Sequence, residues 1–339
     1  MIDAALEQDA DAIATESGFS GAVRVDRAGQ LVLERAYGYA ERRLGIPNTP
    51  GTQFGTASGL KGMTALAVVC LIEDGTLALD TPARSILGED LPLIGDDVTI
   101  EHLLAHRSGI GDYLDEYEDG EMSDYVMSVP VHTLVTAEDY VAILDGFPPK
   151  FEAGSDFAYC NGGYVVLALI AERASGVPYH ELVIDRVCAP AGMSDTAFLR
   201  SDELPARAAL GYLEPEGLRT NVLHLPVRGT GDGGVYTTVA DMRSFWQALV
   251  SGRIVSHEWV AEMKRSRSVV PRASGGRRGY GLGFWLRLEG DGVILVGSDA
   301  GVSFFSLHAP GADLTYSVIS NRTDGAWGLA AALEERLCR

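Results

Sequence analysis

Lysine is scarce in this chain of 339 residues: only Lys61, Lys150 and Lys264 occur. Positive charge is short overall, with 27 basic against 47 acidic side chains and a net charge of -20. Such a field repels phosphate backbones and anionic lipid, which argues against nucleic acid or a membrane surface as a partner. Cysteine is sparse as well, and Cys70, Cys160, Cys188 and Cys338 have no C-x-x-C spacing. Neither a zinc site nor a disulfide framework follows, and reduced thiols fit a cytoplasm. The longest apolar runs, Met63 to Ile72 and Tyr164 to Ala171, fall well short of the roughly 20 residues that a bilayer span needs. Met1 to Ala10 carries Asp3, Glu7 and Asp9 with no basic residue, opposite to a secretory n-region, so a cytoplasmic location is expected. The G-x-S-x-G elbow of α/β-hydrolases is missing too, which removes that class of serine enzyme.

What is present is an ordinary globular composition, 46% apolar and 22% charged, long enough for one large domain or two modest ones. Residues 2 to 17 have helical character. Gly21 to Val25 and Leu31 to Ala36 alternate around Asp26-Arg27-Ala28-Gly29, the pattern of a hairpin. Near the other end, Leu282 to Leu288, Val293 to Val296, Val302 to Leu307 and Leu314 to Ile319 read as strands before a helical Gly325 to Leu337. The middle has helical patterns at 59 to 74, 99 to 106, 136 to 145, 162 to 175 and 179 to 188. The expected fold is α/β. Residues 1-61 and 226-339 form a discontinuous domain, an antiparallel sheet flanked by helices, and 62-225 a mostly helical second domain. A small-molecule cleft is expected between them.

The segment Phe54-Gly55-Thr56-Ala57-Ser58-Gly59-Leu60-Lys61 precedes the apolar stretch from Met63. Ser58 at a helix start reads first as an N-cap. A capping box, however, wants Glu or Gln three residues on. Lys61 instead sets a cation in the first turn against the macrodipole, at a cost of about 0.3 to 1 kcal/mol. Residues three apart share a helix face, so the amine can reach the hydroxyl and activate it. For that its pKa must fall from about 10.4 toward about 7 to 8, which burial promotes.

A second segment, Phe151 to Tyr164, contains Tyr159-Cys160-Asn161 ahead of another apolar helix. Alone, it reads as a buried aromatic and a helix cap. Cys160 beside it reads as a small buried thiol rather than a nucleophile. Gly229-Thr230-Gly231-Asp232-Gly233-Gly234 matches G-x-G-x-x-G but lacks the βαβ setting of a dinucleotide site. His102 and His106 stand four apart without H-E-x-x-H, so structural roles are expected of them.

Taken together, Ser58-x-x-Lys61 and Tyr159-x-Asn161 resemble the serine β-lactamase and penicillin-binding-protein superfamily. The branch is that of class C β-lactamases, D-alanyl-D-alanine carboxypeptidases, D-aminopeptidases and related esterases. Leu103-Leu104-Ala105-His106-Arg107-Ser108-Gly109, Gly231 to Thr237 and Tyr280-Gly281-Leu282-Gly283 fall in the family's order. The resemblance implies a β-lactamase/transpeptidase-like fold and acyl transfer without a cofactor. In it Ser58 attacks a carbonyl, Lys61 and Tyr159 move the proton, and Asn161 positions Lys61 and substrate.

The family's third motif, K-T-G or H-x-G, is expected within Val296-Gly297-Ser298-Asp299-Ala300-Gly301. Ser298 then replaces the cation and Ala300 the glycine, while the Gly301 N–H is the second oxyanion donor by position. Asp299 is either a solvated strand-end charge or a negative group in the site, which disfavours an anionic substrate. The expected activity is that of a serine acyl hydrolase, esterase-like, on a neutral or cationic small ester or amide. The alternatives are β-lactamase or D-amino-acid peptidase activity and, in another class, a non-catalytic ligand-binding homologue.

Overall fold

The computed structural model describes residues 2–116, 122–271 and 276–337. Cys338 and part of the 111–128 loop lie outside these. Helix α1 (Ala4–Ser17) starts at Asp3, whose carboxylate accepts from the N–H groups of Ala5 and Leu6, a side-chain cap on otherwise orphaned donors. Strands β1 (Gly21–Arg27) and β2 (Gln30–Tyr37) form the expected hairpin. The two turn residues, Ala28 and Gly29, both have positive φ, as a turn matched to the strand twist requires.

Helices α2 (Lys61–Glu73), α3 (Asn161–Ser175) and α4 (Val239–Val250) follow. Strands β3 (Ser268–Pro271), β4 (Arg277–Tyr280), β5 (Trp285–Arg287), β6 (Val293–Asp299), β7 (Val302–Ala309) and β8 (Leu314–Ser320) then lead to helix α5 (Gly325–Leu337). Among the described residues these make one eight-stranded sheet in the order β2-β1-β8-β7-β6-β5-β4-β3, with every neighbouring pair antiparallel.

Strand β7 is buried along its whole length because both faces of the sheet are covered. Phe305 and Leu307 point into a cluster with Leu6 and Ala10 of α1 and Leu329 and Leu333 of α5. Phe304 points the other way, into the cluster built by α2, α3 and α4. The buried Ser306 hydroxyl accepts from Trp246 Nε1 at 2.7 Å, so a polar side chain on that face is satisfied by α4. Helix α2 is buried continuously from Lys61 to Leu71, which explains an apolar run with no polar face. Among the described residues no helix is long and apolar enough to cross a membrane.

Two expectations change. The strand anticipated over Leu282 to Leu288 is only Trp285–Arg287, because Tyr280 to Phe284 folds back on itself: Gly283 has φ 84° and the Gly281 N–H donates to Phe284 O at 2.9 Å. The helical pattern from residue 59 begins as a 3₁₀ turn, Ala57–Leu60, and becomes α-helical at Lys61.

Candidate active site

Ser58 lies in that 3₁₀ turn, after Ala57 at φ 46°. A non-glycine residue there costs on the order of 1–2 kcal/mol, so the surroundings must hold it. They do: the Thr56 N–H donates to Val235 O at 3.0 Å and the Gly59 N–H to Thr56 O at 2.9 Å. The turn aims the Ser58 hydroxyl at Lys61, one turn further on.

Lys61 is only 2% exposed. Its Nζ donates to Ser58 Oγ at 2.8 Å, to Asn161 Oδ1 at 2.7 Å and to Asp232 O at 2.8 Å, which uses all three donors of an ammonium. Burial pushes its pKa below the ordinary lysine value, against the opposing pull of the Asp232, Glu116 and Asp112 carboxylates. Asn161, at the start of α3, cannot rotate away, since its Nδ2 donates to Leu114 O at 2.9 Å and Glu116 Oε1 at 3.2 Å. Asp112 holds that helix start through the N–H groups of Asn161 and Gly162.

The Tyr159 ring centroid lies 4.9 Å from Lys61 Nζ, the amine that donates to Ser58 Oγ, which sets the phenol beside the Ser58 hydroxyl. Burial, with a smaller push from Glu116, raises its phenol well above 10, so this group is a neutral donor. Ser58, Tyr159 and Asn161, drawn from two distant stretches, therefore meet around one buried amine, Lys61 Nζ.

The glycine-rich 229–234 segment supplies a backbone acceptor rather than a phosphate cradle. A Cβ at Gly231 would sit 1.9 Å from Tyr164 O. Only glycine lets the loop lie on α3, with the Gly231 carbonyl accepting from Thr64 Oγ1 and the Asp232 carbonyl accepting from Lys61. Asp232, whose carboxylate accepts from Tyr113 OH at 2.6 Å, was not predicted from sequence as a site residue. The glycines around it, and the place of Gly231 to Thr237 in the family's order, are the signals that could have pointed there. His102 and His106 are structural: Nδ1 of His102 accepts from the Thr99 N–H in a capping box, and Nδ1 of His106 from the Cys160 N–H.

The third motif needs a correction. Gly301 is not placed to stabilise an oxyanion, because its N–H donates to Thr323 Oγ1 at 2.9 Å from the two-residue turn Ala300-Gly301 between β6 and β7. The residue pressed on the Ser58 turn is Gly297. A Cβ there would lie 2.2 Å from Thr56 O and 2.8 Å from Ser58 N. The antiparallel ladder pairs Asp299 with Val302 and Gly297 with Phe304 across β6 and β7. Hydrogen-bonded and open positions alternate along such a strand, so the Ser298 N–H points to the other edge, beyond the pairing of Ile294 with Trp285, the first residue of β5. The Ser298 side chain leans instead toward Thr323 O, at 3.5 Å.

Asp299, on the Gly297 face of β6, is half-buried rather than solvated and lines a cavity of about 550 Å³ with Ser58 and Asn161. Its carboxylate accepts from the Ala300 N–H. Desolvation raises its pKa to about 7, the Ala300 bond opposes, and Asp232 and Glu116 add to the rise. Asp112, Asp115, Glu116, Asp124 and Asp232 share the lining, and among the described residues no lysine or arginine does. Leu114, Met127, Tyr140, Phe147, Leu225 and Val227 add apolar surface to the lining. The cavity thus combines acidic and apolar groups.

A family model described as Beta-lactamase matches residues 4–337. Esterase EstB of Burkholderia gladioli is 30% identical over 320 residues, 83% of this chain and 78% of that protein. PbpX of Bacillus subtilis (strain 168), named as a penicillin-binding protein, is 29% identical over 273 residues, 80% of this chain. The match spans 63% of the length of PbpX. The crystal structure of a penicillin-binding protein from Bacillus halodurans superposes with a TM-score of 0.89 at 33% identity, covering 96% of this chain and 99% of that one.

Proposed function

The chain belongs to the Beta-lactamase family, a family of serine hydrolases, and from that premise we propose that it cleaves a small ester or amide through an acyl-enzyme on Ser58. The observation that carries this reading is a single hydroxyl bonded by a buried amine, with a neutral phenol set beside it. Lys61 in its neutral form takes the proton as Ser58 Oγ bonds to the carbonyl carbon. The N–H groups of Ser58 and Ser298 stabilise the oxyanion. On collapse the bond to the leaving group breaks, and that group takes the Tyr159 proton, which Lys61 restores. Water then attacks the acyl-enzyme and the same proton path runs in reverse. Kinship with EstB supports an ester as substrate. Hydrolysis of p-nitrophenyl acetate by the purified protein tests the reading, and its absence together with absence of any acyl adduct would favour a binding role.

The backbone assignment separates from the side chain. Ser298→Pro deletes the N–H on an open strand edge, where proline is tolerated. It is expected to lower kcat by about 10²- to 10³-fold, with Ser298→Ala within about threefold of wild type. Equal kcat values in the two variants would count against Ser298 as the donor.

The acidic lining favours a neutral or cationic substrate, and Asp299 makes that preference depend on pH. With a pKa of about 7, it is mostly neutral at pH 6 and mostly ionised at pH 8. The KM for an amine-bearing ester should fall across that window, by up to about 10-fold for one charge-assisted hydrogen bond, while that for a neutral ester stays flat. In Asp299→Asn the slope for the amine-bearing ester should vanish. An unchanged slope in that variant would remove Asp299 from substrate selection.

A further inference from the structure

His106 sits in the Leu103 to Gly109 segment, is 1% exposed and has φ 55°. Its backbone carbonyl accepts the N–H of Ala158 at 3.0 Å, and its Nδ1 accepts the N–H of Cys160 at 3.1 Å. One residue therefore grips the chain immediately before and immediately after Tyr159. Its ring lies against the Tyr159 ring, with centroids 4.3 Å apart, and Tyr164 and Tyr280 close the same box at 4.9 and 4.8 Å. Accepting at Nδ1 places the ring proton on Nε2, which has no hydrogen-bond partner among the described residues. A protonated ring would turn an N–H toward the Cys160 N–H and set a cation near Lys61. Burial and Lys61 accordingly hold the imidazole well below its ordinary pKa.

We infer that His106 is the positioning residue for Tyr159: a neutral imidazole acceptor that fixes the backbone on both sides of the phenol and so keeps its hydroxyl beside Ser58. The inference rests on the proton-transfer role given to Tyr159 above. It goes beyond that role in assigning a specific atom, Nδ1, to the second layer of the site. The left-handed backbone and the Nδ1 acceptor are separable demands. Asparagine and glycine both tolerate the backbone conformation, but only asparagine has an oxygen where Nδ1 stands.

The test compares His106→Asn and His106→Gly, using p-nitrophenyl acetate with the fraction of competent enzyme counted by fluorophosphonate titration of Ser58. The expected result is a kcat per competent site within about tenfold of wild type for His106→Asn and about 10²-fold down for His106→Gly, because a misplaced catalytic group has a cost of that order. KM should be little changed in both. Equal kcat losses in the two variants, or losses confined to thermal stability with kcat per site intact, overturn the positioning role. Ser58→Ala assayed in parallel keeps the readings apart: turnover surviving in that variant defeats the serine mechanism itself, whatever His106 does.

Discussion

Ser58→Ala is expected to abolish ester turnover, with a loss in kcat of at least about 10⁴-fold and as much as about 10⁶-fold, as when one member of a serine-based unit is removed. The size follows from the geometry. The Ser58 hydroxyl accepts from the Lys61 amine, and the Tyr159 phenol is set beside that pair. Without it the base has no proton to take from a nucleophile, and no acyl-enzyme forms. The backbone N–H at position 58 remains, so a small residual rate from oxyanion stabilisation is the most that should survive. The fold should tolerate the change, since Ser58 sits on the cavity wall rather than in the core. Unaltered thermal unfolding beside lost turnover is the pattern to look for in steady-state kinetics.

Lys61 should be nearly as intolerant, and two substitutions divide its role into charge and base. Lys61→Met keeps most of the volume but leaves Asn161 Oδ1 and the Asp232 carbonyl without their donor, and removes the cation that favours ionised Asp232. A loss of at least about 10³-fold in kcat is expected, within the usual range for a general base, along with lower stability from the orphaned acceptors. Lys61→Arg retains a positive charge that does not dissociate near neutral pH. If Lys61 is the base, the arginine variant is as inactive as the methionine one. Substantial turnover in Lys61→Arg would mean that the site needs a cation and not a base. In wild type, activity should rise with pH as Lys61 loses its proton, with a midpoint below that of an ordinary lysine, because burial lowers its pKa.

Much of this arrangement was legible in the chain. The β1-β2 hairpin follows from alternation of apolar and polar residues on either side of a turn cluster. The weight placed on Lys61 follows from a cation in the wrong half of a helix dipole, in a chain with few lysines. The third motif was not legible. Reading along Ser298-Asp299-Ala300-Gly301 gives no sign that the hairpin closes at Asp299 and Val302 or that Gly297 is the residue pressed on the Ser58 turn. Both are set by how β6 packs across that turn. Ala57 and His106 carry positive φ imposed by tertiary contacts, at residues whose type does not announce it. Helix α4 is a different case. It is not among the sequence expectations, although Val239, Met242, Phe245, Trp246 and Leu249 keep helical spacing and the Thr238 side chain caps it.

The most direct test is the intact mass of the protein, quenched in acid during turnover of a p-nitrophenyl ester and followed by peptide mapping. The account predicts a single acyl group bound to Ser58 in wild type and none in Ser58→Ala. An acyl group mapped to any other residue, or turnover that persists in Ser58→Ala, contradicts it.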